Sequence, residues 1–279
     1  MCRQFALGLL IAFVSAVTVE TAPAQNGTAP GESASSVNGL DSLVESATSV
    51  TAVIAGTPGP DTLIGTPGDD TLNGRGGADV MTGLAGNDIY IVDNFDDAVV
   101  EEPGNGVDIV RSSAVAFELP EYVEDLRLTG SSSSKGFGNA RRNRLFGNSG
   151  ANLLDGGPGN DTLTGGAGPD RFRFGSALNA STNFDRLPGF NVAEDTIVLN
   201  YRAFPRFIFG MFDTLSPNRF HIGSTATQST HYILYNPVNG ALLYDGDGNG
   251  PLAAVRFATV APNLLLTYAN FVVEVRFQL

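Results

Sequence analysis

The chain has a single cysteine, Cys2, so no disulfide within it can staple a fold. Zinc lacks its usual ligands, because the one thiol lies in the apolar start and the two histidines, His221 and His231, lie far along the chain, outside its nine-residue repeats. Neither H-E-x-x-H nor G-x-S-x-G occurs, which removes the zinc-protease helix and the lipase nucleophile elbow. Basic residues are scarce: 16 Lys plus Arg stand against 29 Asp plus Glu, a formal charge of -13. A surface of that sign repels phosphate backbones and excludes nucleic acid as a partner. Long apolar runs are missing as well. The run from Phe5 to Val19 falls short of the roughly 20 residues that a spanning helix needs, so no stable membrane span is expected.

Glycine is plentiful, at 34 residues, but has no three-residue period, which excludes collagen. Arg3 precedes the apolar run, and Ala22 and Ala24 follow it, the order of a secretory signal peptide. Residues 1–24 are read as that signal and the protein as secreted and extracellular. Residues 25–54, rich in Ser, Ala, Gly and Asn, read as a flexible leader.

A strict nine-residue period then begins. GTPGPDTLI (56–64), GTPGDDTLN (65–73), GRGGADVMT (74–82) and GLAGNDIYI (83–91) follow one another without a gap. Each has glycine first and fourth, aspartate sixth and a large apolar residue eighth. A second array, GNARRNRLF (138–146), GNSGANLLD (147–155), GGPGNDTLT (156–164) and GGAGPDRFR (165–173), keeps the register. Its sixth positions are Asn143, Asn152, Asp161 and Asp170, and Arg141 replaces the fourth glycine of its first copy.

Such a unit divides into a six-residue turn and a three-residue strand, whose middle side chain points inward while its neighbours face out. Two units make one coil of 18 residues, so turns two units apart stack. Asp61 then stacks with Asp79 on one edge, and Asp70 with Asp88 on the other. Stacked carboxylates repel unless a cation lies between them. A groove of carboxylates and turn carbonyls suits Ca²⁺, which accepts six to eight oxygens in a flexible cage, better than Mg²⁺. The fold class that follows is all-β: a parallel β-roll of nonapeptide repeats over 55–174, closed by a β-rich capping region over 175–279. With one inward side chain per strand the core is thin, and the roll is expected to fold only when calcium binds.

G-G-x-G-x-D-x-U-x, matched in full by GGPGNDTLT and GGAGPDRFR, resembles the RTX, or haemolysin-type, calcium-binding repeat. The resemblance implies several bound calcium ions. Side-chain ligands would be Asp61, Asp70, Asp79, Asp88, Asp161 and Asp170, with Asn143 and Asn152 forming weaker sites. Turns would be shaped at Gly56, Gly59, Gly65, Gly68, Gly74, Gly77, Gly83 and Gly86, and at Gly156, Gly159, Gly165 and Gly168. The tail beyond Phe174 is similar to the region after the repeats in serralysin-like proteases. The family also implies bacterial secretion machinery as a partner, through a one-step route that reads a carboxy-terminal signal. The Sec-like start departs from that route, though not from the destination.

The segment 92–137 between the arrays reads as longer β-coils that continue the stack, with strands at Val99–Val100, Ile109–Val110 and Leu126–Leu128. Past the repeats, strands are expected at 195–200, 219–223, 231–236, 241–245, 253–258 and 271–277, with a hairpin turn at Asn239–Gly240. Asp245-Gly-Asp247-Gly-Asn249-Gly250 resembles half an EF-hand loop, but its twelfth position is Arg256. It reads as a polar hairpin turn, with an auxiliary calcium site as the alternative. His221 and His231 read as structural. Lys135, Arg141, Arg142 and Arg144 form a dense basic cluster that balances nearby carboxylates or contacts an anionic cell-surface polysaccharide. No catalytic constellation emerges. The chain is read as a non-enzymatic calcium-binding protein; the competing reading is a calcium-dependent accessory or targeting module of an extracellular hydrolase or polysaccharide-modifying enzyme.

Overall fold

A computed structural model describes residues 50–207 and 213–274. The proposed signal peptide and all but the end of the leader lie outside these residues. The nonads give three-residue strands because each offers a short β-favouring stretch before glycine ends it. β1 (Val53–Ala55) precedes the first nonad, and the first array supplies β2 (Thr62–Ile64), β3 (Thr71–Asn73), β4 (Val80–Thr82) and the one-residue-longer β5 (Ile89–Val92). The connector supplies β6 (Ala98–Val100), β7 (Ile109–Ser112), β8 (Ala116–Glu118), β9 (Asp125–Leu128) and β10 (Lys135–Phe137). The second array supplies β11 (Arg144–Phe146), β12 (Leu153–Asp155), β13 (Thr162–Thr164) and β14 (Arg171–Phe174). The first strand begins two residues inside the segment read as leader.

Odd and even strands form opposite walls of the roll. Along the odd wall β1, β3, β5, β7, β9, β11 and β13 pair in parallel, Val53 with Thr71 and Thr71 with Ile89, the 18-residue coil expected of paired nonads. The even wall is in two pieces, β2–β4–β6 and a sheet that runs through β8, β10, β12 and β14, with no pairing between β6 and β8. The connector therefore continues the stack. Its coils differ in length: the step from Asp88 to Asp108 is 20 residues and that from Asp108 to Glu124 is 16. The excess of one cancels the deficit of the next, and the following step, from Asp125 to Arg144, is 19, so the second array resumes one residue off the nine-residue count of the first.

Eighth-position side chains fill the interior: Leu72, Met81, Tyr90, Leu145, Leu154, Leu163 and Phe172 are fully buried and Leu63 nearly so. In β10 the inward position is Gly136, and Leu126 and Leu154 close over it, each within 3.2 Å of where a methyl would stand.

The carboxy-terminal region prolongs the same walls. β15 (Asp185–Arg186) pairs with β13, and β16 (Thr196–Asn200) with β14. Beyond them come β17 (Asp213–Thr214), β18 (Phe220–Ile222), β19 (Ile233–Asn236), β20 (Ala241–Tyr244), β21 (Val255–Thr259) and β22 (Phe271–Glu274). β15 runs on into β21, β20, β19 and β18, while β22 covers β16. The hairpin at 237–240 joins antiparallel β19 and β20, with Gly240 at φ 73°. Phe257 packs edge-on against Phe174 and Phe204, ring centroids 5.1 Å apart in both pairs, so an aromatic core seals this end.

Candidate metal centre

Each sixth-position side chain sits one residue before a strand and reaches the turn stacked on it. The backbone N–H of Asp61 donates to Asp79 Oδ1 at 2.9 Å, and that of Asp70 to Asp88 Oδ1 at 2.7 Å. In the second array the N–H groups of Asn143 and Asn152 donate to Asp161 and Asp170 at 2.8 and 2.9 Å. The stacking expected from the sequence thus appears as two hydrogen-bonded ladders. They also recruit residues outside the eight nonads. Asp97 accepts from Asp79, Asp108 from Asp88, and Glu124 from Asp108. Asp185 and Asp195 extend the ladders from Asp161 and Asp170. A signal existed, since Asp97, Asp108, Glu124 and Asp195 each immediately precede a strand and Asp185 begins one. Asp97 keeps the 18-residue step from Asp79 but lacks the repeat glycines before it, whereas steps of 20, 16, 24 and 25 residues concealed Asp108, Glu124, Asp185 and Asp195.

The eight repeat turns fall into two kinds, and the second residue decides which. In the turns that begin at Gly56, Gly65, Gly138 and Gly147, the second residue (Thr57, Thr66, Asn139 or Asn148) donates its own N–H to the sixth side chain. Pro58 and Pro67 hold Thr57 and Thr66 extended, and the Asn139 and Asn148 side chains accept from the fourth-position N–H, as Asx turns do. In the turns that begin at Gly74, Gly83, Gly156 and Gly165, the second residue is left-handed: Arg75 at φ 60°, Leu84 at 79°, Gly157 at 81° and Gly166 at 102°. The fourth residues Gly77, Gly86, Gly159 and Gly168 also have positive φ. There the N–H is turned away, and Oδ2 of Asp79, Asp88, Asp161 and Asp170 is buried with no hydrogen-bond partner.

These orphaned oxygens do not face empty apolar space. A methyl on Gly56 would meet the Gly74 carbonyl at 2.6 Å and Asp61 Oδ2 at 2.7 Å; one on Gly74 would meet Asp79 Oδ2 at 2.3 Å. First-position glycines therefore border oxygen-lined spaces between stacked turns. A buried, unpaired carboxylate oxygen is costly. Burial, followed by repulsion from neighbouring acids, pushes Asp88 up to about 6 and Asp161 up to about 8. Burial likewise raises Asp170 to about 6 and Asp185 to about 7. The donors are hard oxygens alone, carboxylate and carbonyl, the set that Ca²⁺ takes. Asp79, Asp88, Asp161 and Asp170 would hold it, with the turn carbonyls, and the ion would supply the positive charge these buried acids lack.

The weaker signals resolve locally. The 245–250 stretch is the turn of the β20–β21 hairpin, where Asp247 N–H donates to Asp245 Oδ1 at 3.3 Å. His221 and His231 stack with centroids 4.5 Å apart, and burial beside His221 lowers the His231 pKa. In the basic cluster, Arg144 pairs with Asp125 and Arg141 lies 3.9 Å from Glu121 and over the Tyr122 ring. Balancing acids is therefore part of what this cluster does. Among the described residues no helix is long and apolar enough to cross a membrane.

No curated protein matches the chain. The family model for the RTX calcium-binding nonapeptide repeat matches it in four copies, over residues 55–90 and 137–172, the two arrays whose turns form the ladders. Both arrays are therefore RTX calcium-binding nonapeptide repeats, within a chain whose remaining residues the family model does not cover.

Proposed function

We propose that this is a secreted, non-enzymatic calcium-binding protein whose roll assembles only when its turn carboxylates are neutralised by calcium. The observation that carries this reading is the set of four buried aspartate oxygens, on Asp79, Asp88, Asp161 and Asp170, that no group among the described residues satisfies. The repeats bury one large side chain per strand and are rich in glycine, so little apolar burial offsets the entropy and charge cost of closing them. Residues 1–24 and the family both support export, by secretion machinery of the bacterial kind, to a medium where millimolar calcium is present. Circular dichroism of metal-stripped protein tests it. A cooperative gain of β signal with Ca²⁺ and not with Mg²⁺ is expected; a spectrum already folded in chelator and unmoved by calcium would sink the switch.

A second reading, a targeting module for an anionic polysaccharide, is favoured by one groove. Arg142, Arg186 and Arg256 line a cavity of about 540 Å³ with Phe184, and Arg256 lies 3.8 Å over the Phe184 ring. Such convergence of arginines in so acidic a chain suits a carboxylated or sulfated polymer. Calcium-dependent retention on an alginate column, lost in an Arg142→Ala/Arg186→Ala variant, is the expected result for this reading.

A further inference from the structure

Glu101 stands where the repeats carry glycine. β4 pairs with β6 residue for residue, Thr82 opposite Val100, so Glu101 follows Val100 as Gly83 follows Thr82. Its side chain nevertheless turns into the roll and is 7% exposed. One carboxylate oxygen accepts the hydroxyl of Tyr90, itself fully buried, and the other has no partner. The turn that follows is longer than a repeat turn, and Asp108 takes the sixth-position role by accepting the Asp88 N–H at 2.8 Å.

Three acids meet here. Asp88, Glu101 and Asp108 are all buried, and each offers a carboxylate oxygen within 4.8 Å of the others. A methyl on Gly83 would find Asp88 Oδ2 at 2.1 Å, Tyr90 Oη at 2.2 Å and Glu101 Oε1 at 2.6 Å, so three oxygens from two chain segments converge on one point. Asp88 Oδ2 and Glu101 Oε2 are both unsatisfied. The charges that bear on Asp88 and Asp108 are acidic, Asp70 and Asp69 on one and Glu124 on the other, beside Glu101 itself.

We propose that Asp88, Glu101 and Asp108, with the Tyr90 hydroxyl beside them, form a non-repeat Ca²⁺ site that binds more tightly than the repeat turns. This rests on the calcium reading above. A repeat ladder brings one carboxylate from each stacked turn, whereas the replacement of a glycine by Glu101 adds a third acid to the same space, and calcium affinity rises with ligand charge. The site lies at the seam where the first array meets the connector, next to the break in the even wall between β6 and β8. Its acids flank β5, β6 and β7, so an ion there ties β6, the last strand of the first piece of the even wall, to the paired β5 and β7 of the odd wall.

Calcium calorimetry on the full metal-stripped chain, together with tyrosine-sensitised Tb³⁺ luminescence, tests this. The wild type should show one tight class of site above a weaker group. Glu101→Gln should weaken that class by about tenfold or more and spare the weaker group. Asp170→Asn should do the reverse. Tyr90→Phe should remove Tb³⁺ emission excited through tyrosine at the first equivalent. A Glu101→Gln isotherm that superimposes on the wild type, or emission that survives Tyr90→Phe, overturns the site while leaving calcium binding by the repeats intact. Should Glu101→Gln fail to fold in saturating calcium, the Tyr90→Phe emission decides alone. A wild-type chain that binds no calcium overturns both readings, a distinguishable result.

Discussion

A buried carboxylate oxygen needs a donor, and the eight sixth positions divide on whether their own turn provides one. Asp61 and Asp70 receive the N–H of Thr57 and Thr66; Asp79, Asp88, Asp161 and Asp170 do not. Equal aspartates in the sequence are thus unequal in the structure. Asp161→Ala or Asp79→Ala should raise the calcium midpoint of folding several-fold, whereas Asp61→Ala should move it by less than about twofold, read by circular dichroism across a calcium titration. Arg75 and Leu84 provide a second comparison. Both hold left-handed conformations, at φ 60° and 79°, that cost an ordinary residue about 1–2 kcal/mol, and the matching positions in the second array are Gly157 and Gly166. Arg75→Gly and Leu84→Gly should each lower the calcium midpoint, with a gain of about 0.5–1 kcal/mol in denaturant melts at saturating calcium. No change, or a loss, would show that these turns are not strained.

At the scale of the turn and its strand, the fourth glycine carries the stacking. Gly86 has φ 121°, and a methyl there would lie 2.4 Å from the Gly68 carbonyl carbon of the turn stacked against it. Gly86→Ala should therefore cost at least about 1–3 kcal/mol of calcium-loaded stability. Gly59→Ala, where a methyl's nearest neighbour is the Thr57 hydroxyl at 3.9 Å and φ is not positive, should cost far less. Equal losses in thermal melts would count against the two kinds of turn. The strands themselves were legible because the repeat marks them: β2 to β5 and β11 to β14 fall at the seventh to ninth positions. In the connector the apolar pairs at Val99, Ile109 and Leu126 revealed β6, β7 and β9. β8 and β10 escaped, since Ala116–Glu118 and Lys135–Phe137 each present one inward residue, Phe117 or Gly136, without a periodic neighbour.

For the molecule as a whole, charge and apolar burial act at opposite ends. In the folded metal-free roll, burial raises Asp88 and Asp170 to about 6, Asp108 to about 7 and Asp161 to about 8, all above the ordinary 3.8 they regain on unfolding. Groups raised in this way make the folded state bind more protons than the unfolded one, so stability is gained as pH falls and lost as it rises through the folded values. In chelator, acidification from about pH 8 to about pH 5 should increase β signal, and the same change in limiting calcium should weaken binding as protons compete for the carboxylates. A chelated protein whose β signal falls steadily over that range would contradict the burial of these acids. At the other end Phe257, 1% exposed between Phe174 and Phe204, closes the core. Phe257→Ala should cost about 3–5 kcal/mol in the calcium-loaded protein, measured by denaturant unfolding.

The nine-residue period determined by itself the coil of 18, the parallel pairing, the inward residues and the two edges on which the acids stack, because a repeat forces each unit to meet its neighbours alike. The sequence also marked the oxygen-only chemistry of the turns. Which aspartates lack a donor was decided only in the folded chain, since it depends on whether residues such as Thr57 or Leu84 point an N–H inward or away. The meeting of Asp88 with Glu101 and Asp108 was equally a tertiary outcome. It arises from a coil two residues too long, and no local pattern announces which carboxylates such an irregular coil will bring face to face.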